Sequence, residues 1–107
     1  MKIVVLSCAE SEFAEIVDYY NEQRSGLGYE FAAEVQRTFD RINYFPEAWS
    51  LFSQRSRRCL VDRFPYAVLY QTRIDCILVG GIMHLKRNPE IWQDRADKTF
   101  NNTSFNI

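Results

Sequence analysis

Hydrophobic residues recur with one period in the first half of this chain and with another in the second. Lys2 and the apolar run Ile3-Val4-Val5-Leu6 read as a strand that ends at Ser7. Ser7-Cys8-Ala9-Glu10 has the form of a capping box, in which the serine hydroxyl accepts a backbone N–H and the glutamate reaches back to the cap. Behind it Ala9, Phe13, Ile16, Val17 and Tyr20 fall at i, i+4, i+7, i+8 and i+11. That spacing predicts a helix with Glu12, Glu15, Asp18 and Glu22 largely turned to water. Two glycines in three positions, Gly26 and Gly28, end it and suit a tight helix-to-helix turn. A second helix from about 28 to 44 carries Phe31, Val35, Phe39 and Ile42 at helical spacing and stops before Pro46. The short connection predicts an antiparallel helical hairpin.

Trp49, Leu51 and Phe52 then read as an irregular link that covers the core. Beyond them the period becomes 2. Arg58, Leu60 and Asp62 alternate with Cys59, Val61 and Arg63, and 66–72 and 76–83 are β-rich runs parted by Arg73-Ile74-Asp75. Such short links predict an antiparallel three-strand meander, with Pro65 at a strand start where its missing donor is harmless. Asn88-Pro89 opens a short helix containing Trp92 and Arg95. The expected fold is α+β, in the order β-α-α-β-β-β, with the hairpin packed on a small, mainly antiparallel sheet and a short C-terminal helix. From Lys98 onward the Asn-rich tail shows no pattern, so 97–107 is expected to be a polar, disordered tail.

Composition narrows the class. A chain of 107 residues, 47% apolar and 15% aromatic, suits one folded domain, here 1–96. The apolar runs fall far short of the roughly 18 residues of a membrane span, so a cytoplasmic protein without a membrane partner is expected. Cys8, Cys59 and Cys76 are odd in number and widely spaced, which reads as reduced thiols; no metal or cofactor is expected. Charge is uneven: residues 1–54 hold four Lys/Arg against nine Asp/Glu, and residues 55–95 hold eight against four. An acidic half joined to a basic half suggests that one face meets a polyanion. The only histidine, His84, sits with Lys86 and Arg87 where a strand ends, free to meet a ligand. Taken alone, such a histidine is more often a structural one.

Taken in order, several pieces make the chain resemble the RelE/ParE toxin superfamily of bacterial type II toxin–antitoxin modules, whose members are often labelled plasmid-stabilisation proteins. They are the Ala-Glu-rich first helix ending in Tyr19-Tyr20, the Leu27-Gly28 turn with Phe31, Pro46, Arg58, the Phe64-Pro65-Tyr66 to Tyr70 strand, and the closing His84, Arg87, Pro89, Trp92 and Arg95. The resemblance covers residues 2 to about 95 and implies a helical hairpin on a small twisted sheet. It also implies a toxin, expected to be a ribosome-dependent mRNA endonuclease that inhibits translation, the alternatives being an inhibitor of DNA gyrase without chemistry of its own and a weakened toxin acting mainly in antitoxin-linked regulation.

For the endonuclease, attack by a 2′-hydroxyl on the adjacent phosphate needs a base, an acid and positive charge on the phosphorane. His84 would move protons, Arg87 and Arg58 would clamp phosphate oxygens, Arg57, Arg63 and Lys86 would hold the RNA backbone, and Trp92 would stack on a base. Plainer roles stay open: Arg58 paired with Glu34 or Asp40, Tyr66 and Tyr70 in the core, and Arg95 complementing a helix dipole. The resemblance further implies an antitoxin that folds on the toxin. Phe13, Tyr20, Phe31, Phe39 and Tyr44, more aromatic surface than a small core needs, are the expected contacts, with an acidic stretch of the antitoxin drawn to the basic sheet face.

Overall fold

A computed structural model describes residues 1–101 as a five-stranded sheet with helices on both faces. The elements are β1 (Lys2–Val5), α1 (Ser7–Gln23), α2 (Leu27–Tyr44), β2 (Ser50–Ser53), β3 (Ser56–Leu60), β4 (Tyr66–Thr72), β5 (Cys76–His84) and α3 (Pro89–Asn101). The strand order is β1-β5-β4-β3-β2. β1 runs parallel to β5, and every other neighbouring pair is antiparallel. The expected α+β fold and its hairpin are present. The meander gains a strand, because Leu51 and Phe52 belong to β2 rather than to an irregular link.

Local chemistry explains the boundaries. The capping box does not form: the N-cap of α1 is Leu6, without a side-chain cap. The Leu6 N–H donates to Val79 O at 2.9 Å, so the ladder between β1 and β5 carries on into the cap residue and Ser7 starts the first turn instead of preceding it. Gly26 takes the left-handed conformation, φ 88°, that a turn between antiparallel helices requires. The orphan Gly28 N–H, one residue inside α2, donates to Asn21 Oδ1 at 2.8 Å. A Cβ on Gly28 would lie 2.2 Å from Val17 O, so only glycine lets the two helices meet there.

Alternation along the strands builds two cores. The hairpin packs on one face over Val68, Tyr70, Ile77, Val79 and Ile82, with Phe31, Val35 and Ile42 reaching down from α2. On the other face Trp92, Ala96 and Phe100 of α3 pack on Ala67, Leu69, Leu78 and Met83. These three α3 residues are spaced i, i+4, i+8, which carries the helix through the segment expected to be a disordered tail; Phe100 is buried, and 102–107 lie outside the described residues. Gly80 and Gly81 make the close docking possible. A Cβ on Gly80 would stand 2.6 Å from the Phe100 ring, and one on Gly81 3.0 Å from the Trp92 ring. Gly80 is also the extra residue of a bulge, since Leu69 pairs with Gly81 and Tyr70 with Val79. Among the described residues no helix is long and apolar enough to cross a membrane.

Candidate functional site

The end of β5 delivers His84 to a cleft of about 180 Å³ between α1, the sheet and the start of α3. Register fixes its neighbour: His84 pairs with Tyr66 of β4, and the two rings meet edge-on, 4.9 Å between centroids at 80°. The chain then turns back, with Leu85 N donating to Pro65 O at 2.9 Å and Arg87 N to His84 O at 3.2 Å. The Lys86 N–H donates to His84 Nδ1 at 3.0 Å, so the neutral imidazole carries its proton on Nε2. Burial pushes the Tyr66 phenol up, Tyr19 adds to the rise, and the Arg87 guanidinium opposes it.

Two carboxylates complete the lining, Glu12 and Glu15 of α1. Glu12 joins three elements. Its Oε1 accepts from Ile82 N of β5 and from Arg95 Nη2 of α3, each at 3.1 Å, and Oε2 pairs with Arg95 Nη1. Arg95 also donates to Gly80 O at 3.1 Å, the carbonyl of the bulge residue, and its Cζ lies 4.5 Å from the Trp92 ring centroid. The hydrogen bond to Glu12 raises the Arg95 pKa despite desolvation. Glu15 stays exposed, as the helical spacing predicts, whereas Glu12, expected to face water, is half-buried by these bonds. A sequence signal existed for Glu12, which stands four residues before Ile16 at the margin of the apolar stripe.

Of the expected site residues, His84, Arg87 and Trp92 line this one cleft, whereas Arg57, Arg58 and Arg63 do not join them. Arg58 pairs with Leu69, whose side chain belongs to the α3 core, so it projects from the sheet face opposite to His84. It stacks 5.8 Å from the Phe52 centroid and pairs with neither Glu34 nor Asp40. Arg57 projects to the hairpin face and donates to Trp49 O at 2.7 Å, in a separate cleft. Arg63, held at φ 71° in the turn before β4, pairs with Glu30 at 2.9 Å and Glu34 at 3.8 Å. Trp92 lines the cleft but is only 6% exposed and is covered by Arg95, which leaves no open ring face for a base. Lys86 is exposed beside the cleft.

The aromatic residues expected to contact an antitoxin also divide. Phe31 is fully buried, ringed by Phe13, Tyr20, Phe64 and Tyr66, and cannot be a surface contact. Phe13, Tyr20 and Phe39 are half-buried against the core, whereas Tyr44 is exposed and leans on Phe45.

No protein-family model matches the sequence, and no curated protein matches it. Among solved structures, a chain of the chromosomal ParDE TA system from P. aeruginosa is similar in structure, with a TM-score of 0.71 at 12% sequence identity. The match covers 80% of this chain and 97% of that one. At such identity the likeness is one of fold.

Proposed function

We propose that this chain is the toxin of a type II toxin–antitoxin module, acting in the cytoplasm by binding a protein target such as DNA gyrase rather than by cutting mRNA. The fold it shares with a chain of the ParDE system supports the toxin reading. The observation that carries the mode of action is the charge of the cleft. Glu12 is matched by Arg95, and Glu15 offsets Arg87, so the lining holds no surplus positive charge for a phosphodiester. A nuclease site needs such a surplus, because the phosphorane gains negative charge as the 2′-oxygen attacks. Arg58 cannot supply it from the opposite sheet face. Inhibition by binding asks for no proton transfer, and a mixed surface of Arg87, Lys86, His84 and Glu15 suits a protein partner with charges of both signs.

One observation favours the second reading, a ribosome-dependent mRNA endonuclease: His84 and Arg87 share the cleft with the Tyr66 phenol, so a proton carrier and a phosphate ligand lie side by side. Induced expression separates the two. On the binding reading, plasmid negative supercoiling falls, mRNA 5′ ends stay unchanged, and His84→Ala remains toxic. New in-frame mRNA ends that disappear with His84→Ala would overturn it in favour of the endonuclease.

A further inference from the structure

The cleft that holds His84 contains hydrogen-bonding groups that the fold itself leaves unspent. Its two carboxylates differ in this respect. Glu12 is committed to Arg95 and to the Ile82 N–H, whereas the carboxylate of Glu15, exposed on α1, has no ion pair or hydrogen bond among the described residues. On the sheet side the unspent groups are donors. The His84 Nδ1 lone pair is occupied by the Lys86 N–H, which leaves Nε2–H as a fixed donor. It has no hydrogen-bond partner among the described residues, and neither has the Tyr66 hydroxyl or the Arg87 guanidinium. Burial pushes the Tyr66 phenol up, so it stays a hydroxyl donor at neutral pH.

Size decides how much of a ligand can enter. At about 180 Å³ the cleft is smaller than the roughly 300 Å³ at which small-molecule sites begin, so it takes one side chain rather than a nucleotide or a cofactor. Charge decides which side chain. With Glu12 matched by Arg95 and Glu15 set against Arg87, a carboxylate brings an uncompensated negative charge, and a lysine or arginine brings a positive one beside Arg87. An uncharged group that accepts on the sheet wall and donates on the α1 wall meets both demands. A hydroxyl has the two functions on one oxygen. The primary carboxamide of glutamine or asparagine has them on separate atoms, two lone pairs on the oxygen and two N–H groups on the nitrogen. Ile16, Ile82 and Trp92 complete the lining and give its methylene stem apolar contact.

We infer that this cleft receives the carboxamide of a glutamine or asparagine on the protein target, its oxygen accepting from His84 Nε2–H and Arg87 and its nitrogen donating to Glu15. Both bonds to charged groups are of the stronger, charge-assisted kind. The inference rests on the protein-binding reading of the cleft, and it gives His84 a part in that reading without proton transfer. The Lys86 N–H at Nδ1 and the Tyr66 ring, edge-on to the imidazole, fix the direction in which the histidine donates.

The test titrates the full chain with the N-acetyl, N-methylamide forms of glutamine, glutamate and methionine, alike in length. NMR follows the ring signals of His84, which as the only histidine need no assignment. Capped glutamine should shift these signals to saturation. It should bind about tenfold more tightly than capped methionine, which has the shape without the hydrogen bonds, and more tightly than capped glutamate. Glu15→Ala should weaken capped glutamine about tenfold, and Glu15→Lys should turn the preference toward capped glutamate, with circular dichroism checking that both variants stay folded. Equal binding of the three probes, a preference of the unaltered chain for capped glutamate, or affinities that Glu15→Ala leaves unchanged overturn the inference. A 2′-O-methyl RNA tetranucleotide is titrated alongside. If it shifts the His84 signals and capped glutamine does not, the cleft reads a nucleic acid and the inference fails. In cells Glu15→Ala should reduce growth inhibition and the loss of supercoiling together; a variant fully active in both overturns the inference and leaves the protein-binding reading intact. If capped glutamine binds as expected while induction produces new in-frame mRNA ends, the carboxamide preference stands and the protein-target reading fails.

Discussion

Removing the Glu12 carboxylate should be among the most damaging single changes outside the apolar cores. In Glu12→Ala, Arg95 keeps its charge in a site where its side chain is 30% exposed, and the Ile82 N–H loses its acceptor. Breaking a fully buried pair by deleting one partner costs about 3–5 kcal/mol. With Glu12 at 23% and Arg95 at 30% exposure, water screens part of that, leaving about 2 kcal/mol. The unsatisfied Ile82 amide adds about 1 kcal/mol, for a total near 3 kcal/mol. In a domain of this size that corresponds to a fall in Tm of about 10–20 °C. Glu12→Gln keeps an acceptor for Ile82 and should cost less. Urea unfolding of Glu12→Ala, Arg95→Met and the double variant closes a cycle in which the coupling should reach about 1–2 kcal/mol, because Arg95→Met alone strands only the carboxylate and the Gly80 carbonyl. A Glu12→Ala loss below about 0.5 kcal/mol, or strictly additive variants, would refute the claim that this pair ties α1, β5 and α3 together.

Gly28→Ala places a Cβ 2.2 Å from Val17 O, a backbone atom that cannot swing away, so the hairpin must open and stability should fall by at least about 2 kcal/mol in urea unfolding; a loss under 0.5 kcal/mol would contradict the close crossing. Alkaline pH should also destabilise the chain. Burial pushes Tyr70 up to about 12, and Tyr20 and Tyr66 shift the same way. The unfolded tyrosines lose their protons first, so this contribution is complete below about pH 10 and declines as pH rises toward 12. The urea midpoint should fall between pH 9 and pH 11, and Tyr70→Phe, which also gives up the bond to Pro46 O, should fall less steeply; equal slopes would argue against the buried phenol.

The elements that were legible in the sequence are those where one strong period or one covalent constraint decides the outcome. The apolar stripe from Ala9 to Tyr20, the Gly26 turn and the stop before Pro46 each have a single solution, and the hairpin follows from them. β2 escaped because Ser50–Ser53 is an edge strand with its first two residues exposed, so little alternation is needed to stabilise it. The length of α3 escaped for another reason. Its apolar face is three residues wide, among polar ones, and it becomes a helix with a core only because Gly80 and Gly81 present bare backbone to Phe100 and Trp92. A glycine pair inside a strand announces a close approach without naming what approaches.

The candidate site was harder to read because segment charge is not surface charge. Arg57 and Arg58 are neighbours in sequence, and the strand pleat sends them to opposite faces of the sheet, so their charges never add at one ligand. Arg63 is consumed by Glu30 and Glu34, and Arg95 by Glu12. The excess of cations in 55–95 is thereby scattered or partly neutralised: Arg57 and Arg73 are spent on neutral acceptors and Arg58 on the Phe52 ring, and Arg55, Lys86 and Arg87 likewise have no ion pair to a described residue. The acids of α1 undergo the reverse. A helix gathers residues four apart onto one flank, so Glu10, Asp18 and Glu22 stay together, with no ion pair among the described residues. Secondary structure dispersed the basic half of this sequence and concentrated the acidic half.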